Sequence, residues 1–267
     1  MTDRSCHYGL ALHTTSPELG LAIDNFVGDR RSQVLPLGRD LSNQLHERLA
    51  EFLQPQRWTD LKFIAAIAGP GSFTGTRIGL VVARTLAQQL EIPLYAISGL
   101  AVLAYAHQAS QAVDVQKSKN RAKDIAVQMQ ARRQQVFAAI YAVNSADKAS
   151  NFAAVDAASA TGGESSLVTA ESASESAPDS QTKALMVGSN LQPLLADTTL
   201  LETTWQETLA TWPRPYHLLS YCEEDRVAGT VTQALAIAER AWQQGMRPHW
   251  STALPFYGQH PVRDNAR

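Results

Sequence analysis

One stretch of this chain restricts its fold more than any other. Residues 62–68, Lys-Phe-Ile-Ala-Ala-Ile-Ala, form a nearly unbroken apolar run, and Gly69-Pro70-Gly71-Ser72-Phe73-Thr74-Gly75 follows at once. Apolar residues then recur at helical spacing to Leu90, and Pro93 closes the segment. A buried strand that enters a glycine turn and leaves as a helix is the crossover unit of a parallel or mixed sheet. The flanks extend that unit. Residues 8–14 and 19–23 read as a hairpin around Ser16-Pro17, with a third strand within 26–35. Leu41, Leu45, Leu49, Phe52 and Leu53 share one helical face, with Asp40 or Ser42 as the cap and Pro55 as the stop. Residues 94–97 read as a strand, and Ser98 caps a helix to about 109. The expectation is an α/β fold with mixed sheets flanked by helices.

Beyond residue 110 the pattern changes. Strands are expected at 125–129 and 135–143, a strand at 185–188, and a helix at 226–244, with an apolar tail at 250–257 packing back on the body. Between them, 20 of the 41 residues from 144 to 184 are Ala or Ser, too little apolar surface to offset ordering entropy. That segment reads as a disordered insertion with one strand around 152–155. No internal repeat stands out by eye. The expected organisation is a subdomain over 1–109, carrying the glycine turn, and a second over 110–267.

Composition excludes several classes of function. A net charge of -2 and a pI near 6.4 argue against binding nucleic acid by bulk charge. No apolar run approaches the ~20 residues of a membrane span, and the N-terminus shows no signal-peptide pattern. Cys6 and Cys222 cannot form a disulfide framework. A cytoplasmic protein is expected. No two histidines stand at i, i+4, and no Gly-x-Ser-x-Gly occurs, so neither a helical zinc-peptidase site nor a nucleophile elbow is present. Glu18 and Asp24 flank the hairpin without forming an acid–base pair.

Three features carry local signals. The turn residues Gly69, Gly71, Ser72 and Thr74 could cradle an anion at a helix N-terminus. Thr76-Arg77 stands where a phosphate loop needs Lys-Ser/Thr, and Thr74 where the dinucleotide fingerprint needs glycine, so the generic reading is a capped tight turn. Gly75, Gly79, Ala83 and Ala87 form a smooth stripe flanked by Ile78, Val82 and Leu86. Such a stripe serves either close packing within the chain or a helix–helix partner interface, and the pattern does not separate the two. The basic residues Lys117, Lys119, Arg121, Lys123, Arg132 and Arg133 read as a solvated loop, or alternatively as a local patch facing a phosphate backbone.

Residues 64–104 closely resemble the TsaB (YeaZ) family, the small Gcp-like subunit of the bacterial machinery for threonylcarbamoyladenosine in tRNA. The family carries Gly-Pro-Gly-Ser-Phe-Thr-Gly-Leu-Arg-Ile-Gly here, and this chain departs from it only at Thr76. The opening LALHTTSPELGLAI, the segment MQARRQQVFAAIY and the closing Leu254-Pro255-Phe256-Tyr257 resemble further family blocks. The resemblance implies the two-subdomain actin, Hsp70 and sugar-kinase (ribonuclease H-like) fold. It implies a non-catalytic scaffold that binds and activates the TsaD transferase, which moves a threonylcarbamoyl group onto N6 of the adenosine beside the anticodon. It further implies the TsaE ATPase as a partner through the TsaB–TsaD pair, a homodimer when alone, only indirect contact with tRNA, and no cofactor or metal.

Because the family pairs through its first two long helices, the resemblance points to Leu41, Leu45, Gly75, Arg77, Ile78, Gly79, Val82, Ala83 and Leu86 as the partner interface. Three departures stand out. His13 replaces the family's opening aspartate, Gln130 the aspartate before Ala-Arg, and Leu41-Ser42 the family's His-Ser. Losing a carboxylate at residue 13 removes a hard-cation ligand and a general-base candidate, which counts against an actin-like ATPase or a small-molecule kinase, the alternative reading.

Overall fold

The computed structural model describes residues 7–112, 123–143, 191–222 and 224–256. The insertion expected at 144–184, the strands expected at 152–155 and 185–188, and Tyr257 lie outside the described residues.

The first sheet holds β1 (Tyr8–His13), β2 (Leu19–Asp24), β3 (Arg30–Leu35), β4 (Leu61–Ile67) and β5 (Leu94–Ile97) in the order β3-β2-β1-β4-β5. β1 to β3 form an antiparallel meander, whereas β4 runs parallel to both β1 and β5. The central strands are buried on both faces, which is why they read as continuous apolar runs. β1 turns Leu10 and Leu12 toward α1 (Leu41–Leu53) and α2 (Phe73–Leu90), and Ala11 toward the opposite face. Arg31 on β3 fixes the end of α1, donating to the Phe52 and Leu53 carbonyls at 2.9 and 2.7 Å.

The second sheet contains β6 (Asp124–Gln130), β7 (Gln135–Val143), β8 (Leu191–Leu201) and β9 (Tyr216–Tyr221), in the order β8-β7-β6-β9. β6 pairs antiparallel with β7 and parallel with β9, so the plan of the first sheet repeats. This duplication escaped the reading of the sequence because strand pairing repeats while the residues do not. The short helix α4 (Glu202–Ala210) covers the outer face through Trp205, whose indole N–H donates to Gln128 Oε1 at 2.5 Å. β8, α4 and β9 were not expected. β8 carries Pro193 and Asp197, α4 buries only Trp205 and Leu209, and neither shows a clean period.

Two helices fill the space between the sheets. α3 (Gly99–Ala112) belongs by sequence to the first half but packs on β6 and β7. α5 (Val231–Gln243) belongs to the second half but packs on β1, β2 and β4. The halves thus exchange helices and share one core. Phe63 sits in it, edge-on to Tyr95 and stacked on Trp242, each with centroids 5.5 Å apart.

The halves also differ. The first runs from β4 through α2 and β5 before its exchanged helix, whereas only residues 222–230 separate β9 from α5. Among the described residues the second half therefore has no counterparts of α2 and β5. The tail packs back as expected. Tyr95 donates its hydroxyl to the Met246 carbonyl at 2.6 Å, Leu94 N–H donates to Pro248 O at 3.4 Å, and Phe256 N–H to Ala68 O at 2.7 Å. It straps the free edge of β5.

Phe63→Ala is expected to lower unfolding free energy by about 3–5 kcal/mol, measured by urea denaturation, because it empties the layer that joins the two sheets.

Candidate functional site

The parallel strands β1, β4 and β5 point their carboxyl ends to one side of the first sheet, where β1 stops at His13 and α2 begins. The start of α2 is pressed onto the turn that follows β1. Ser72 N–H donates to Thr15 O at 2.8 Å. A Cβ added to Gly71 would stand 2.3 Å from that same oxygen, one on Gly75 2.1 Å from Thr14 O, and one on Gly79 2.0 Å from Thr14 Oγ1. No side chain fits at those distances, so glycine is required by approach to the chain's own backbone at Gly71 and Gly75 and to the Thr14 side chain at Gly79. Ala83 and Ala87 continue the stripe into the buried core.

Of the residues expected at the partner interface, Gly75, Gly79 and Ala83 face inward and Leu41 and Leu45 are buried in the same core, whereas Arg77 is exposed and Ile78, Val82 and Leu86 are half-buried. A helix whose small residues recur every four positions buries that face and must present the opposite one to solvent. The opposite face of α2 carries Thr74, Ile78, Val81 and Thr85, with Arg77 and Arg84 beside it. Val81 is 60% exposed, and Phe73 at the helix start is 41% exposed under the Arg77 guanidinium, 3.7 Å from its ring centre. Ile78, Val82 and Leu86 are half-buried along the edge. Sequence reading missed Val81 and Phe73 because it followed the stripe; the outward spacing 74, 78, 81, 85 was the available signal.

The glycine turn has its backbone groups engaged. Ser72 Oγ caps α2 by accepting from Gly75 N–H at 3.2 Å, and Thr76 N–H donates to Ser72 O at 2.9 Å. Gly69 O accepts from Gly99 N–H at 2.7 Å, and Phe256 lies over Gly69. Gly69, Gly71 and Ser72 are thus engaged in packing and capping, while Thr74 is exposed in the first turn of α2.

His13 lies at the base of this region, 2% exposed, with Nδ1 hydrogen-bonded to nothing among the described residues. Burial pushes its pKa down to about 4, so the imidazole is neutral near pH 7. Where the family pattern places a carboxylate, this chain places an uncharged ring. Gln130 is exposed at the end of β6.

Among the described residues, Lys123, Arg132 and Arg133 do not form one patch. Lys117, Lys119 and Arg121 lie outside the described residues. Lys123 precedes β6 and Arg132 and Arg133 follow it, so the seven-residue strand holds them roughly 20 Å apart. No group of three or more metal-ligating side chains occurs among the described residues, and no helix there is long and apolar enough to cross a membrane.

Comparison with known proteins gives this geometry a family. Residues 38–194 match the family model described as TsaD, tRNA N6-adenosine threonylcarbamoyltransferase. The chain is 53% identical over 45 residues to the tRNA threonylcarbamoyladenosine biosynthesis protein TsaB of Bacillus subtilis (strain 168), a stretch covering 17% of this chain and 20% of that protein. It is 27% identical over 113 residues to the TsaB of Buchnera aphidicola subsp. Acyrthosiphon pisum (strain APS), covering 42% of this chain and 43% of the relative. The matched stretches thus span from a fifth to less than half of these relatives' lengths. Among solved structures, YeaZ from Pseudomonas aeruginosa aligns with a TM-score of 0.59 at 19% identity, over 94% of this chain and 99% of that one. A second Pseudomonas aeruginosa structure, an uncharacterised protein with similarity to peptidase YeaZ, aligns at 0.60 and 19% identity over 95% and 100%. Those likenesses establish the fold, which is the expected actin-like one with mixed sheets flanked by helices.

Two outcomes follow from the site's packing and its buried imidazole. Gly75→Ala is expected to destabilise the chain by about 1–3 kcal/mol in urea titrations, although alanine favours an isolated helix by about 1 kcal/mol. His13 binds a proton near pH 6.5 when unfolded and only near pH 4 when folded, so the unfolded chain takes up more protons between those values. Stability is therefore expected to fall as pH drops from 6.5 through 4, by up to about 3 kcal/mol more in the native chain than in His13→Gln, read from paired denaturation curves.

Proposed function

The chain belongs to the family of the tRNA N6-adenosine threonylcarbamoyltransferase TsaD and stands within it among the TsaB (YeaZ) proteins; on that premise we propose that it is a non-catalytic scaffold. In this reading it binds and activates a TsaD subunit for threonylcarbamoylation of N6 of the adenosine next to the tRNA anticodon, in the cytoplasm. The outward face of α2 carries the proposal. Ile78, Val81 and Val82 offer an uncharged apolar ridge at helical spacing, and Arg77 and Arg84 rim it. A rigid helix with an apolar centre and a charged rim is the form that fits a partner's groove. The inward glycines support the ridge rather than join it, because they fix α2 rigidly on the β1 turn. Residues 1–109 would thus present the pairing face, and residues 110–267 would complete the shared core. A neutral His13 supports the non-catalytic part of the reading, since an uncharged imidazole supplies no carboxylate to a hard cation. TsaE would join through the TsaB–TsaD pair, tRNA would be reached only through TsaD, and the same ridge would pair two copies when TsaD is absent.

The test is co-purification with the TsaD of the same source, with mass read by light scattering. Val81→Asp places a charge at the centre of the ridge without touching the core. It is expected to weaken the heteromer at least tenfold while leaving the thermal midpoint of the isolated chain unchanged. A complex of undiminished affinity would remove the ridge as the pairing face.

A further inference from the structure

The second sheet ends on an unprotected strand. β9 pairs with β6 on one side, and no described residue pairs with it on the other. In the first half, the equivalent side of β4 is occupied by β5, and α2 covers β4 and β5 from outside. Among the described residues the second half has no counterpart of either, so β9 keeps a row of backbone donors and acceptors that no described strand takes up, beside an outer face where Leu218 is 44% exposed.

Free edges invite pairing, and folded chains block them with charge, proline, irregular register or a covering segment. Every other edge here carries such a device. β3 presents Arg30 and Arg31, β5 is strapped by the tail, and β8 contains Pro193 and Asp197 with a shifted register against β7. β9 alone reads Tyr-His-Leu-Leu-Ser-Tyr, without Asp, Glu, Lys, Arg or Pro. Its residue types favour strands, and it contains nothing that would repel a copy of itself. His217 packs toward His107 on α3, with ring centres 5.5 Å apart, so the strand is also tied to the body.

We propose that β9 is a self-pairing edge, through which two copies of this chain join antiparallel across a two-fold axis and merge their four-stranded sheets into one of eight strands. A two-fold axis normal to the sheet places a residue opposite its own copy. Centred on Leu218, it sets Leu218 against the partner's Leu218 and Tyr216 against the partner's Ser220, with no like charges opposed. This surface is separate from the α2 ridge, and it stands whether or not TsaD docks there.

Sedimentation equilibrium over a hundredfold concentration range tests it, using Val81→Asp to silence the ridge and Val81→Asp/Leu218→Lys to blunt the strand as well. Hydrogen exchange at β9 amides is followed across the same range. The single variant is expected to pass from monomer to dimer, with slower exchange confined to β9 in the dimer. The double variant is expected to dimerise at least tenfold more weakly with an unchanged thermal midpoint. Ser220→Lys, on the same outward-facing side of the strand, should behave likewise if Leu218→Lys folds poorly. A single variant that stays monomeric throughout, or a dimer whose β9 amides exchange at the monomer rate, overturns the proposal.

Discussion

The contact between α2 and the turn after β1 organises much of this molecule. Three glycines let the helix start lie against Thr14 and Thr15, Gly71 and Gly75 at their carbonyls and Gly79 at the Thr14 side chain, at distances no side chain would allow. That approach sets the height of α2 over the first sheet. It engages Ser72 at the helix start, buries the small-residue stripe, and turns Val81 outward with Ile78 and Val82 half-buried beside it. A motif that looks like a place for a ligand here receives the chain's own backbone and the Thr14 side chain. The pairing proposed for this chain would be carried on the other side of the same helix, about one helix diameter away.

The first half was largely legible because its elements are governed by local rules. Its strands are buried on both faces, its helices are amphipathic or stopped by proline, and Ser72 and Ser98 cap where their types suggest. β8, α4 and β9 were not legible, because a single tryptophan and two sheet edges hold them, and neither leaves a period in the sequence. The candidate site was half legible. The helix that carries the proposed ridge was named, but the stripe has the same spacing whether it meets a partner or its own chain. Only the position of Thr14, some sixty residues earlier, decides between them.

The exchange of α3 and α5 makes the two halves interdependent. Neither sheet has a covered inner face without the helix contributed by the other. The shortened second half gives up a helix and a strand without losing its core, because Trp205 and the exchanged α3 cover β6 and β7 from both sides. What it gives up is cover at one edge.

The C-terminal strap carries a consequence for the order in which the molecule can be completed. On the ribosome, the first five strands emerge long before residues 231–256, yet α5 supplies the inner face of their sheet and the strap closes β5. The early half must therefore wait with apolar surface uncovered until residues 231–256 have been made. Its closing contact is a short segment that carries Phe256 back to the end of β4, a strand made almost two hundred residues earlier. Removing that segment takes away the cover of β5 rather than a dispensable stretch of chain.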